Sequence, residues 1–313
     1  MPLASQLQVL GNLLKQDGYS FCSPTPLSHA RILSRGHFGP VTLRDVFGWN
    51  RIFAADQIPL RYRGFLDDPD LFKPDGDRYR AKVRFSSLGP LLLAHSGYPT
   101  LEADAVFFGP DTYRFAHAIK AFHDRQQTFA PATCVDIGAG TGAGGLLCAK
   151  LFPSLREIAL LDINQRAVEF AAANIALNAI PFTAAQHSDI LSAWSGHADL
   201  IVANPPYLVD SEFRAYRHGG GDWGASLSVR ILEQALSHLS PAGHLLLYTG
   251  TAIVEGQDKF LETARPVLER TVRYRYDEID PDVFGEELDK WPYDQADRIA
   301  TVMLHVRGSD LKR

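Results

Sequence analysis

Short apolar strand patterns alternate regularly with helical stretches from about residue 132 onward, and this constrains the chain most. Period-two or fully apolar runs fall at residues 132–137, 157–163, 182–188, 200–203, 244–249, 272–276 and 299–306. Helical periodicity occupies 143–151, 165–177, 226–238 and 257–268. Strands separated by helices of about ten to fifteen residues predict crossover connections. They imply a doubly wound, parallel α/β sheet of seven strands, Rossmann-like in plan. Ligands of such sheets sit beyond the carboxyl ends of the strands, at the switch in strand order.

The first strand runs into Val135-Asp136-Ile137 and then Gly138-Ala139-Gly140-Thr141-Gly142-Ala143. Glycines here permit a tight turn and close approach of a ligand to the backbone. The next helix offers unpaired amides at its start. The same glycines also fit a dinucleotide fingerprint, so the loop alone leaves the ligand open. The second strand ends in Asp162-Ile163-Asn164, where a carboxylate can accept from both hydroxyls of a ribose. That suits NAD and S-adenosylmethionine equally. The third ends in Ser188-Asp189-Ile190, with Asp189 a candidate acceptor for an adenine amino group and Ile190 a cover for the ring.

The fourth strand narrows the choice. It ends in Asn204-Pro205-Pro206-Tyr207. Two prolines remove two backbone donors and fix the chain, leaving carbonyls free to accept. Asn204 adds a side-chain acceptor and Tyr207 an aromatic face. Such a set fits a planar group bearing an NH₂. An NAD(P)-dependent oxidoreductase, the alternative from another enzyme class, explains the glycine loop and Asp162 but not this tetrapeptide.

In this order and spacing, Asp136–Gly142, Asp162, Asp189 and Asn204–Tyr207 resemble the class I S-adenosylmethionine-dependent methyltransferases. The run from Asp162-Ile163-Asn164 through Ala167, Val168, Asn174 and Asn178 is similar to the small methyltransferase superfamily. That group includes release-factor glutamine methyltransferases and ribosomal-RNA guanine methyltransferases. Phe108-Gly109-Pro110-Asp111-Thr112 resembles the Arg-Pro-x-Thr segment of the glutamine enzymes, with Gly109 where they have arginine. The resemblance implies that Asp136, Gly138, Gly140, Thr141, Gly142, Asp162, Ile163, Asp189, Ile190 and Asn204 bind S-adenosyl-L-methionine. It implies that Asn204, Pro205, Pro206 and Tyr207 hold the acceptor nitrogen. A glutamine-bearing protein is the expected substrate, with an rRNA or DNA base amine as the alternative.

The first hundred residues differ in texture. Helices are predicted at 2–16, 26–34 and 42–47, a loop at 66–77, a strand at 78–85 and its hairpin partner at 91–95. Helices followed by a hairpin is the order of a winged-helix module. The expected division is therefore a substrate-recognition domain over 1–105 and a catalytic domain over 106–313. Along the predicted strand, Arg78, Arg80, Lys82 and Arg84 alternate with apolar residues, which predicts one wet, basic face.

Charge bears on the partner. With 31 Lys and Arg against 36 Asp and Glu, the net charge is −5, which disfavours wrapping nucleic acid by bulk charge. The split is uneven: 15 basic and 12 acidic side chains lie in 1–128, 16 and 24 in 129–313. Bulk charge thus disfavours nucleic acid for the 129–313 part alone, and the front part is the place to look for what selects the substrate. Cys22, Cys134 and Cys148 lack metal-ligand spacing, so no metal is expected. No secretory start and no apolar run of about 18 residues is seen, and the expectation is a cytoplasmic protein with no membrane contact.

Overall fold

The computed structural model describes residues 2–36, 39–210, 212, 214 and 216–312. The chain begins with four helices, α1 (Leu3–Gln16), α2 (Pro26–Ser34), α3 (Leu43–Phe47) and α4 (Leu60–Arg63). Local chemistry sets two of these starts. Thr25 accepts from the Ser28 amide with Pro26 in the first turn, and Thr42 and Asp45 form a reciprocal capping box. Two hairpins follow: β1 (Phe72–Asp75) with β2 (Arg78–Ala81), and β3 (Val83–Leu88) with β4 (Leu91–Ser96).

Two expectations are corrected here. Part of the 66–77 segment is strand β1, because Phe72 is an apolar anchor that pairs with Ala81. The predicted strand 78–85 is not continuous but bends at Lys82, whose amide reaches the Leu71 carbonyl. The bend turns the basic alternation apart. Arg78 stays exposed, while Arg84 is 3% exposed and faces inward.

After α5 (Pro110–Arg125) come β5 (Thr133–Ile137), α6 (Ala143–Leu151), β6 (Glu157–Asp162), α7 (Gln165–Leu177), β7 (Thr183–His187) and β8 (Ala198–Ala203). Then come α8 (Ser226–Ser237), β9 (Leu239–Val254), the short β10 (Gln257–Asp258), α9 (Lys259–Leu268), β11 (Arg275–Asp280) and β12 (Arg298–Arg307). The sheet order is β11-β12-β9-β8-β5-β6-β7, with β10 beside β9. Strands β7, β6, β5, β8 and β9 are parallel, β12 runs antiparallel between β9 and β11, and β11 again shares the direction of the five. The sheet is therefore mixed, not wholly parallel as the alternation suggests. Only two single 3-10 turns, at Gly285–Glu287 and Tyr293–Gln295, lie between β11 and β12, so no α-helical crossover returns the chain parallel to β11.

Side chains along β8 alternate between two cores. Leu200 and Val202 pack with α5 and α6; Ile201 and Ala203 pack with α8 and α9. Strand order reverses between β5 and β8, so their carboxyl ends define the crevice.

Helix α7 has a second partner. Its Ala167, Phe170, Ala173 and Leu177 complete the core of the N-terminal part, with Leu7, Phe47, Phe85 and Leu92. Asn174 and Asn178, one turn apart, both engage the open edge of β4. Asn174 accepts from the Ala94 amide at 2.7 Å and donates to its carbonyl at 3.0 Å. Asn178 does the same to Leu92 at 3.1 and 2.9 Å. Two side-chain amides thus stand where a third strand would. Among the described residues no helix is long and apolar enough to cross a membrane.

Candidate active site

The loop after β5 is set by its glycines. Gly138, Gly140 and Gly142 have φ of 65°, 55° and 79°, a region that favours glycine. A Cβ at Gly138 or Gly140 would meet nothing within 4 Å, so the loop faces open space. Thr141 is buried, and its carbonyl receives the Asn174 amide at 3.0 Å. Beneath the loop, the Asp136 carboxylate accepts from the Gly145 amide at 2.8 Å. Burial, opposed by the Gly145 amide and aided by Asp162, raises its pKa to about 7.

That shift has a sign. Folding raises the affinity of Asp136 for a proton, so its contribution to stability is full below its unfolded pKa and is lost as pH rises through about 7. Comparison with Asp136→Asn isolates the group. Between about pH 5 and pH 8 the wild type is expected to lose about 3 kcal/mol relative to the variant in urea unfolding. A pH-independent difference would refute the assignment.

At the end of β6, Asp162 accepts from the Gly140 amide at 2.8 Å through one oxygen and from the Asn164 amide at 2.8 Å through the other. Each carboxylate oxygen keeps lone-pair capacity for a diol. Next to it Ile163 is 59% exposed, an apolar side chain presented at a strand end. The third strand end is arranged differently. Asp189 lies at the surface, 3.4 Å from Arg230, and Ile190 is turned into the core with a φ of 53°. Ile163, not Ile190, offers the open apolar face.

Beyond β8, Asn204 is half-buried and its side chain has no hydrogen-bond partner among the described residues. Among the described residues, the carbonyls of Pro205 and Pro206 accept no backbone hydrogen bond. The Tyr207 ring is enclosed, and its hydroxyl donates to Asp111 on α5. Asp111 also accepts from Tyr248 at 3.4 Å and Arg114 at 3.2 Å. Tyr207 is thus an anchor for the loop more than an open aromatic face. Asp111 and Tyr248 were not singled out by sequence reasoning; the one signal was the Pro110-Asp111-Thr112 helix start.

Close packing holds this loop. A Cβ on Gly250 would lie 2.1 Å from the Tyr207 ring, and one on Gly224 would lie 2.1 Å from the Tyr207 carbonyl oxygen. Gly250→Ala is expected to lower turnover by about 10²-fold and stability by about 1–3 kcal/mol. Cofactor binding by calorimetry should be retained; unchanged turnover would show that the loop tolerates displacement.

The segment 216–224 is tied to the loop. The Leu208 amide donates to the Arg217 carbonyl and its carbonyl accepts from the Gly219 amide, and Tyr293 donates to the Trp223 carbonyl. Arg217 pairs with Glu287 at 2.6 Å, so part of the acidic stretch before β12 is a buried wall. A strap over 97–109 spans both halves of the site. Its Asp104 carbonyl receives Asn164, its Thr100 carbonyl receives Tyr216, and Phe107 stacks on Tyr216.

Residues 119–253 match the family model of the methyltransferase small domain. That stretch, from the end of α5 into β9, is similar to a methyltransferase small domain. A methyltransferase match favours S-adenosylmethionine over the NAD(P) alternative that the glycine loop leaves open. The release factor glutamine methyltransferase of Koribacter versatilis is 30% identical over 47% of this chain and 55% of that protein. Ribosomal RNA small subunit methyltransferase C of Serratia proteamaculans is 30% identical over 36% of this chain and 28% of that one. A solved structure, Methanocaldococcus jannaschii Trm5 in complex with adenosine, is 16% identical with a TM-score of 0.48 over 74% and 57% of the two chains. The chain thus spans about half the length of the glutamine methyltransferases it matches.

The small domain fits its cofactor. The open glycine cradle, the two-oxygen carboxylate of Asp162 and the exposed Ile163 present the donors, acceptors and apolar face that a nucleoside with a charged tail requires.

Proposed function

We propose that this protein is an S-adenosylmethionine-dependent N-methyltransferase acting on a planar amide nitrogen, the side chain of a protein glutamine. The observation that supports it most is the set of unengaged acceptors at the β8 end, the Asn204 side chain and the two proline carbonyls. The match to glutamine methyltransferases adds to it. The cofactor supplies an electrophilic methyl group. An amide lone pair is delocalised and weakly nucleophilic, so the protein must orient it. Asn204 and Pro205 accept the two N–H hydrogens and hold the nitrogen in line for displacement. Charge grows on that nitrogen as the bond forms, so these acceptors bind the transition state more strongly than the ground state.

The alternative acceptor, a base amine of RNA or DNA, rested on a basic N-terminal face. The burial of Arg84 removes one cation from that face. The test is transfer of tritiated methyl from S-adenosylmethionine into a cell extract, followed by digestion. Label is expected to survive nuclease and to be released by protease. Loss to nuclease would overturn the glutamine assignment.

A further inference from the structure

Arg84 is a buried cation with no counter-ion. It is 3% exposed, and its Nε donates to the Ser96 carbonyl at 3.3 Å. Its two terminal nitrogens make no hydrogen bond among the described residues. They are not among the fully enclosed polar atoms either, so a narrow access remains. Burial lowers its pKa only to about 10, so the guanidinium is charged at neutral pH.

The surroundings are polar but uncharged. Ser23 and Ser86 share a hydrogen bond of 2.9 Å, and Ser86 meets the His95 ring at 2.9 Å. Tyr113 donates no charge and bonds the Ser23 amide at 3.2 Å. His29 stacks on Tyr98 at 3.9 Å. Burial, together with the Arg84 charge, holds both histidines neutral: His29 falls to about 4 and His95 well below its usual value. A buried charge without a partner costs several kcal/mol, so an isolated guanidinium here calls for an anion.

The place matters as well. Tyr113, one wall of the crevice, stands two residues beyond Asp111, which anchors Tyr207. Phe108 stacks on His95 and touches Tyr113. The surroundings of Arg84 and the Asp111 anchor of Tyr207 thus share the first turn of α5.

We propose that the crevice between the β3–β4 hairpin, the 22–29 segment and the start of α5 is a subsite for a carboxylate of the methyl acceptor, with Arg84 as its counter-ion. The free end of the guanidinium is a planar fork of two N–H₂ groups, which matches two carboxylate oxygens. One cation among neutral walls balances one negative charge. The use of the subsite in selecting an acceptor rests on the methyltransferase reading; the binding of an anion does not.

The test uses the full chain, thermal unfolding and three probes: glutarate, inorganic phosphate and chloride at matched ionic strength. Glutarate is expected to raise the unfolding midpoint saturably, chloride to leave it unchanged, and phosphate to act more weakly. Arg84→Met should weaken glutarate by at least about tenfold. Binding of S-adenosylmethionine, measured by calorimetry on the same samples, should change less than about twofold. Absence of a saturable glutarate shift in the wild type, an equal shift in the variant, or a stronger effect of phosphate would each overturn the subsite. Failure of the wild type to bind S-adenosylmethionine would instead strike the methyltransferase reading. Should Arg84→Met not fold, Arg84→Lys retains the charge without the fork, and undiminished glutarate affinity in it would overturn the bidentate site.

Discussion

Replacing Asn204 by alanine is expected to lower turnover by about 10²–10³-fold while changing S-adenosylmethionine binding by less than about twofold. The side chain is half-buried at the end of β8 and has no partner among the described residues. An unengaged carboxamide in that place costs free energy unless something completes it. An acceptor amide does so, and its N–H hydrogens become more acidic as the nitrogen takes up the methyl group. The hydrogen bond to Oδ1 therefore strengthens along the reaction, and its loss falls on turnover more than on binding. Asn204→Asp keeps an acceptor oxygen and should retain more activity than the alanine variant. Turnover equal to wild type in Asn204→Ala would remove Asn204 from the mechanism. A parallel fall in cofactor affinity would reassign it to the cofactor.

The catalytic half was legible because its information is local. Glycines that take positive φ, a carboxylate at a strand end and a double proline each follow directly from neighbouring residues in the chain. The mixed character of the sheet was less so: nothing in 272–276 or 299–306 records strand direction, which depends on the absence of a crossover between β11 and β12. Arg84 shows the same limit at a single residue. Period two places it with Arg78 and Arg80, but one bend at Lys82 separates the faces. Asp111 lies 96 residues before Tyr207, and no local pattern records that partnership. Likewise the asparagines of α7 read as family markers, whereas their partners are backbone groups of a hairpin 80 and 86 residues away.

Those asparagines give the largest expected effect on stability. Asn174→Leu deletes three hydrogen bonds at once: to the Ala94 amide, the Ala94 carbonyl and the Thr141 carbonyl. Asn174 is fully buried, so water cannot replace it. Each stranded group costs about 1–3 kcal/mol, and leucine burial returns only part of it. A net loss of about 3–5 kcal/mol is expected, a large share of a typical stability of about 5–15 kcal/mol. At about 2–4 °C per kcal/mol the unfolding midpoint should fall by roughly 10 °C. Asn178→Leu is the informative control. It strands the same kind of groups on Leu92 but none in the glycine loop. Both variants should loosen the seam between the β4 edge and α7. Only Asn174→Leu should also weaken S-adenosylmethionine, by about tenfold, because Thr141 belongs to the glycine loop that we propose cradles it. Equal cofactor affinity in the two variants would mean that Asn174 stabilises the seam alone and does not shape the cofactor loop.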